Sequence, residues 1–211
     1  MRQVETLGPI VGAAPVIPVV VLEDASAAVP LARALVAGGL PAIEVTLRTA
    51  AAMDAIRAIA AEVEGAMVGA GTVLGEAQLA EAEKAGARFA VSPGATPALL
   101  YAAGEAGIPL MPGAATASEA MALFDEGFGM LKFFPAEPAG GRAFLAALAQ
   151  PLPAIRFCPT GGIGAETAPA YLALPNVVCV GGSWVVPKEA VAGGDWKRIE
   201  RLARAAAAMR G

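Results

Sequence analysis

The sequence predicts an α/β fold, a single-domain (β/α)8 barrel of the TIM-barrel architecture. Two observations carry that expectation. Short apolar runs alternate with alanine-rich helical stretches every 20 to 25 residues, as repeated βα units do. Eight such repeats fit into 211 residues with no linker-like stretch between them. An open doubly wound sheet would need only about five or six strands, whereas eight suit a closed barrel near the lower end of its size range.

Strands are expected at residues 16–22, 42–47, 66–70, 89–92, 109–111, 130–134, 155–158 and 177–180. Most of these runs lack strict alternation, the pattern of strands buried on both faces. Helices are expected at 26–37, 50–64, 78–85, 97–106, 118–126, 142–149, 166–174 and 195–209. Glycines at 38–39, 86, 107 and 127 follow helices, where a left-handed residue commonly ends the helix. Residues 1–14 read as an N-terminal lead-in, so the domain is expected to span 1–211.

Composition narrows the chemistry. A net charge of −4 leaves no basic footprint for nucleic acid and no polybasic face for a membrane. The most apolar stretch, residues 7–22, is interrupted by Pro9, Pro15 and Pro18 and is too short to span a bilayer comfortably. A cytoplasmic protein is therefore expected. Cys158 and Cys179 lie in separate apolar runs without a CxxC partner, as reduced core residues do. The chain has no histidine at all. That removes the usual general base, the Ser-His and Cys-His nucleophile pairs and the commonest transition-metal ligand. Catalysis would fall to Lys, Glu, Asp, Arg, Tyr or the backbone.

Charged residues then stand where strands should be apolar. In Ile43-Glu44-Val45-Thr46-Leu47-Arg48 the even positions are polar, so period two places Glu44, Thr46 and Arg48 on one face. The outer face of a barrel strand meets helices, which turns the polar set inward. Lys132 sits alone among large apolar side chains in Met130-Leu131-Lys132-Phe133-Phe134. One such residue could be a strand-end charge reaching solvent, or half of a structural ion pair. Two strands that both carry charge inward point to function, because unpaired buried charge is costly. Burial disfavours a charged amine, and a neutral amine is what attacks a ketone. Glu44 would move protons and Arg48 would suit a substrate carboxylate.

The seventh and eighth strands end in Thr160-Gly161-Gly162 and Gly181-Gly182-Ser183. Paired glycines admit an anion to backbone N–H groups, and helix starts after them would add their positive ends. The corresponding loops of (β/α)8 enzymes commonly hold phosphate. These residues alone leave three other readings open: a metal-dependent aldolase, a sugar-phosphate isomerase or epimerase, and a non-catalytic sugar-phosphate binding module.

Five ordered motifs add a resemblance. Glu44-Val45-Thr46-Leu47-Arg48-Thr49, Gly69-Ala70-Gly71-Thr72-Val73, Lys132-Phe133-Phe134-Pro135-Ala136-Glu137, Phe157-Cys158-Pro159-Thr160-Gly161-Gly162 and Gly181-Gly182-Ser183-Trp184 are similar to those of the 2-keto-3-deoxy-6-phosphogluconate (KDPG) aldolase family. The resemblance runs from about Pro15 to the C-terminus. It implies a class I aldolase of the Entner–Doudoroff pathway that yields pyruvate and glyceraldehyde 3-phosphate. Such an enzyme needs no metal or other cofactor, takes a phosphorylated keto acid and is typically a homotrimer. Carried over motif by motif, the resemblance makes Lys132 the Schiff-base lysine and Glu44 the acid/base. Arg48 and Thr72 would hold the pyruvyl carboxylate, and Gly161, Gly162, Gly182 and Ser183 the phosphate. The galactonate epimer and 4-hydroxy-2-oxoglutarate are alternative substrates within the same chemistry.

Overall fold

The computed structural model describes residues 2–209. Its first five strands are β1 (Val16–Val20), β2 (Ala42–Thr46), β3 (Met67–Gly71), β4 (Phe89–Val91) and β5 (Leu110–Met111). Four more follow: β6 (Gly113–Ala114), β7 (Met130–Phe133), β8 (Arg156–Pro159) and β9 (Val180–Gly182). All pairings are parallel, in a curled sheet ordered β5-β4-β3-β2-β1-β9 and a second ordered β6-β7-β8. Two isolated parallel bridges, Phe157 to Val177 and Thr160 to Gly181, connect β8 with the β9 segment.

The fifth expected strand, 109–111, is observed as β5, and a further short strand, β6, follows it. Pro112 has no N–H to donate, so β5 ends before it and β6 begins after it. Its carbonyl still accepts from the Lys132 N–H at 2.9 Å, which keeps β7 in register. The last strand lies later than expected, so Gly181 and Gly182 belong to β9 instead of a loop beyond it.

Helices flank the strands: α1 (Arg2–Val11), α2 (Ala28–Ala37), α3 (Ala52–Glu62), α4 (Glu76–Lys84), α5 (Pro97–Glu105), α6 (Ala117–Asp125), α7 (Gly141–Leu148), α8 (Ala168–Leu172), α9 (Lys188–Ala192) and α10 (Trp196–Ala207). Within the segment read as a lead-in, residues 2–11 form a helix. Leu7, Ile10 and Val11 recur at i, i+3 and i+4 and are almost wholly buried, giving α1 one apolar stripe. Its Gln3 amide donates to the carbonyls of Leu110 and Met130 and accepts from the Met130 N–H, which ties α1 to β5 and β7.

Period two divides the core in two. One set of strand positions, among them Val20, Ile43, Val45, Val68, Ala70, Leu131 and Phe133, packs against the helices. The alternate set, Ile17, Ala42, Phe89, Val91, Met111, Cys158 and Cys179, forms a separate cluster closed by Leu7, Ile10 and Val11 of α1. That second cluster is the inner face. Around the outside α10 packs on α2, α2 on α3, α3 on α4 and α4 on α5. Between α5 and α6 lies a groove of about 730 Å³ lined by Leu100, Tyr101, Ala122, Leu123 and Phe128.

Candidate functional site

Glu44 and Lys132 reach each other from strands 88 positions apart in the sequence. Both lie on the inner face, each set by its strand's alternation. Glu44 is 1% and Lys132 5% exposed, and Lys132 Nζ donates to Glu44 Oε1 at 3.2 Å. The neighbouring strands make room. A Cβ at Gly71 would stand 2.2 Å from Glu44 Oε1, so only glycine leaves space for that carboxylate. Lys132 has Gly113 on one side and Cys158 on the other, both small. Phe134, two residues on, turns its ring centroid to 5.2 Å from Nζ. A buried pair of this kind is expensive to assemble, since desolvation offsets much of its mutual attraction. One proton moving along the 3.2 Å bond interconverts an ion pair and a neutral amine beside a carboxylic acid.

The remaining anticipated residues surround the carboxyl ends of the strands. Thr46 is buried and donates its hydroxyl to the Val20 carbonyl at 2.9 Å. Arg48 is not on the strand face, because β2 ends at Thr46. It stands exposed in the following turn and donates Nε–H to Thr46 Oγ1 at 3.2 Å. Thr72 directly follows β3 with φ +60°, the only positive φ outside glycine among the described residues. A β-branched side chain there costs about 1–3 kcal/mol, a strain typical of ligand-binding positions.

Gly161 and Gly162, just past β8, take φ +106° and +83°, and successive N–H groups in such a turn can form an anion-binding concavity. Ser183 is exposed immediately after β9 and lines a cleft of about 780 Å³ with Val19, Asp24, Lys188 and Trp196. The expected helix-start contribution is absent from these loops. Helix α8 begins six residues beyond Gly162 and α9 five beyond Ser183, and each has only five residues. An anion at these loops would meet backbone donors and the serine hydroxyl, with no helix start beside it. Among the described residues no three His, Cys, Asp or Glu side chains gather as a metal-ligating set.

Sequence reasoning overlooked Phe134 and the spacing role of Gly71. Both were within reach of it: Phe134 is two positions from Lys132, and Gly71 pairs with Thr46 in the strand beside Glu44. Glu137 and its partner Tyr171, which lie under the Gly161–Gly162 turn, carried no such signal.

An amine paired with a carboxylate inside a curled parallel sheet suits an enzyme that handles carbonyl compounds through an imine. The particular family follows from comparison: residues 8–202 match the model of KDPG and KHG aldolase, and the chain belongs to that family. It is 55% identical over 194 residues to the 2-dehydro-3-deoxy-phosphogluconate aldolase of Pseudoalteromonas atlantica, covering 92% of this chain and 90% of that one. Among solved structures it is similar to the KDPG aldolase of Legionella pneumophila, with TM-score 0.93 and 46% identity over 95% of this chain and 98% of the other. In that structure pyruvate is captured as a covalent carbinolamine intermediate. The Zymomonas mobilis enzyme with 3-phosphoglycerate has TM-score 0.91 and 47% identity, covering 97% of this chain and 96% of that one.

Proposed function

We infer that this protein is a class I aldolase that cleaves 2-keto-3-deoxy-6-phosphogluconate to pyruvate and glyceraldehyde 3-phosphate in the Entner–Doudoroff pathway. The observation that carries this reading is the buried Lys132–Glu44 pair, 3.2 Å apart on the inner face of the sheet. A sugar-phosphate isomerase or epimerase would have no use for that lysine. Names within the family support it further, and the KHG part of the family description supports a side activity on 4-hydroxy-2-oxoglutarate.

In the proposed mechanism neutral Lys132 attacks the substrate's C2 carbonyl, and Glu44 supplies the proton on which water leaves to give the imine. Glu44, now a carboxylate, takes the C4 hydroxyl proton. The C3–C4 bond breaks, the aldehyde departs and the electron pair passes into the imine as an enamine. Glu44 returns the proton to C3, and water releases pyruvate and the free amine. Arg48 and Thr72 are assigned to the pyruvyl carboxylate. Gly161, Gly162, Gly182 and Ser183 are assigned to the phosphate, supported by the left-handed pair and the exposed serine.

We extend the proposal to architecture and setting. The two bridges between β8 and β9, with the chain running directly from β5 through Pro112 to β6, support a closed (β/α)8 barrel as one domain over 1–211. Tyr101 (77% exposed), Met121 and Phe124 lie on α5 and α6 beside the groove, and this apolar surface supports a homotrimer. The thiol of Cys158, buried and unbridged, suits the cytoplasm. No helix among the described residues is long and apolar enough to cross a membrane.

Reduction with borohydride in the presence of pyruvate tests the central step. One reduced pyruvyl group is expected on the peptide that contains Lys132, read by mass. Modification at exposed Lys84 or Lys188 instead would overturn the assignment.

A further inference from the structure

The turn at Gly161–Gly162 is supported by a side chain that the mechanism leaves unused. We propose that Glu137, anchored by Tyr171, is a positioning residue that fixes this turn and so sets the preference for phosphorylated over unphosphorylated keto acids. The inference rests on the phosphate site assigned above.

The segment after β7 is laced to the segment after β8. The Ala136 N–H donates to the Thr160 carbonyl at 2.8 Å, and the Glu137 N–H donates to the Gly161 carbonyl at 3.1 Å. Glu137 also occupies the volume that a side chain at 162 would need. A Cβ there would stand 2.7 Å from Glu137 Cγ and 2.8 Å from its Cβ. The left-handed turn and the glutamate stem are therefore fitted to each other, and neither can shift alone.

The carboxylate end is fixed as well. Tyr171, 2% exposed on α8, donates its hydroxyl to Glu137 Oε1 at 2.5 Å, a short charge-assisted bond. Burial, and then the adjoining carboxylate, push the phenol's pKa upward, so it remains a donor throughout the ordinary pH range. Helix α8 lies on the chain just downstream of the turn, so the bond closes a loop from Gly162 through Tyr171 and Glu137 back to Gly162. Backbone donors recognise an anion only when they converge, and convergence is what this loop preserves. Without it the turn gains freedom, and the cost falls on the ligand that uses its N–H groups.

The test compares 2-keto-3-deoxy-6-phosphogluconate with its unphosphorylated counterpart, and adds inorganic phosphate as a competitive inhibitor. Tyr171→Phe and Glu137→Ala should each raise KM for the phosphorylated substrate, and the inhibition constant of phosphate, by about 10-fold or more, as expected for losing a hydrogen bond to a charged group. The unphosphorylated substrate should keep its kcat/KM within about twofold, because it makes no contact with the turn. Glu137→Gln retains an oxygen acceptor for the phenol and should restore most of the loss. Tyr171→Phe removes a single oxygen, so it decides the matter even if Glu137→Ala does not fold. An equal fall with both substrates would overturn the inference by making the clamp merely structural. So would unchanged variants of an enzyme that does prefer the phosphorylated substrate. A wild-type enzyme that neither prefers it nor is inhibited by phosphate would instead overturn the phosphate site itself.

Discussion

The two ends of the inner face are built from the same strands and differ in kind. At the amino ends, Ile17, Ala42 and Phe89 meet Leu7, Ile10 and Val11 of α1 in an apolar plug. Toward the carboxyl ends, Glu44, Thr46, Lys132 and Thr160 are buried and polar, each with a hydrogen-bond partner. Strand β2 makes the passage within itself: Ala42 belongs to the plug, while Glu44 and Thr46 follow at two-residue steps on the same face. The plug can be tightly packed because nothing must enter it. The other end holds an amine and a carboxylate at a desolvation cost that packing alone would not justify, which is the usual division between the stability face and the active face of such folds.

The largest expected effect sharpens that division. Glu44→Gln should lower kcat by about 10² to 10⁴, the usual loss on removing a general acid/base, with the fold intact. Steady-state kinetics and a thermal melt on the same sample would check it. A large drop in melting temperature with a less than tenfold loss of activity would make Glu44 a structural partner of Lys132 and erase the contrast.

The opposite result is expected at the plug. Leu7 is wholly buried, so Leu7→Ala should destabilise the protein by about 2–5 kcal/mol through lost transfer energy and the cavity left behind. Denaturant unfolding would measure that loss, while kcat per folded molecule should stay unchanged. A selective fall in kcat at low denaturant would mean that the plug tunes the site above it.

How far each end was legible in the sequence follows from what specified it. The polar end was written locally, in the alternation of Ile43 to Thr46 and in a lone lysine between large apolar neighbours. The glycines at 39, 86 and 127 likewise took the left-handed conformation expected after helices, since a single residue's backbone freedom decides that. The plug was obscured because α1 shares one apolar run with β1. Pro9, inside the helix, also argued against a helix by its missing donor. Arg48 was placed one step too far along the strand: alternation gives the face but not where the ladder stops. The Glu137–Tyr171 bond joins residues 34 apart whose types occur on many surfaces, so nothing local announced it.

Burial and not charge separates Glu44 from a second carboxylate at the same end of the molecule, and this gives the smallest effect. Glu119 opens α6 in a capping box: its Oε2 accepts from the Ala115 N–H at 2.7 Å and the Thr116 N–H at 2.9 Å, while Thr116 Oγ1 accepts from the Glu119 N–H. The Ala115 hydrogen bond, above all, holds its pKa below the ordinary glutamate value of 4.5, with the Thr116 contacts adding to that and a little burial opposing it. Unlike Glu44 it is exposed, so Glu119→Ala should cost stability of about 0.3–1.5 kcal/mol and leave turnover untouched. Its folded-state pKa lies below its unfolded one, so this contribution is complete above the unfolded value and fades as pH falls through the folded value. The gap in unfolding free energy between wild type and Glu119→Ala should therefore be present at pH 7 and close on acidification below 4.5. Thr116→Ala, which removes an uncharged cap, should keep most of its gap over the same range. A Glu119 gap that persisted in acid, or a fall in turnover at pH 7, would show that this carboxylate does more than cap its helix.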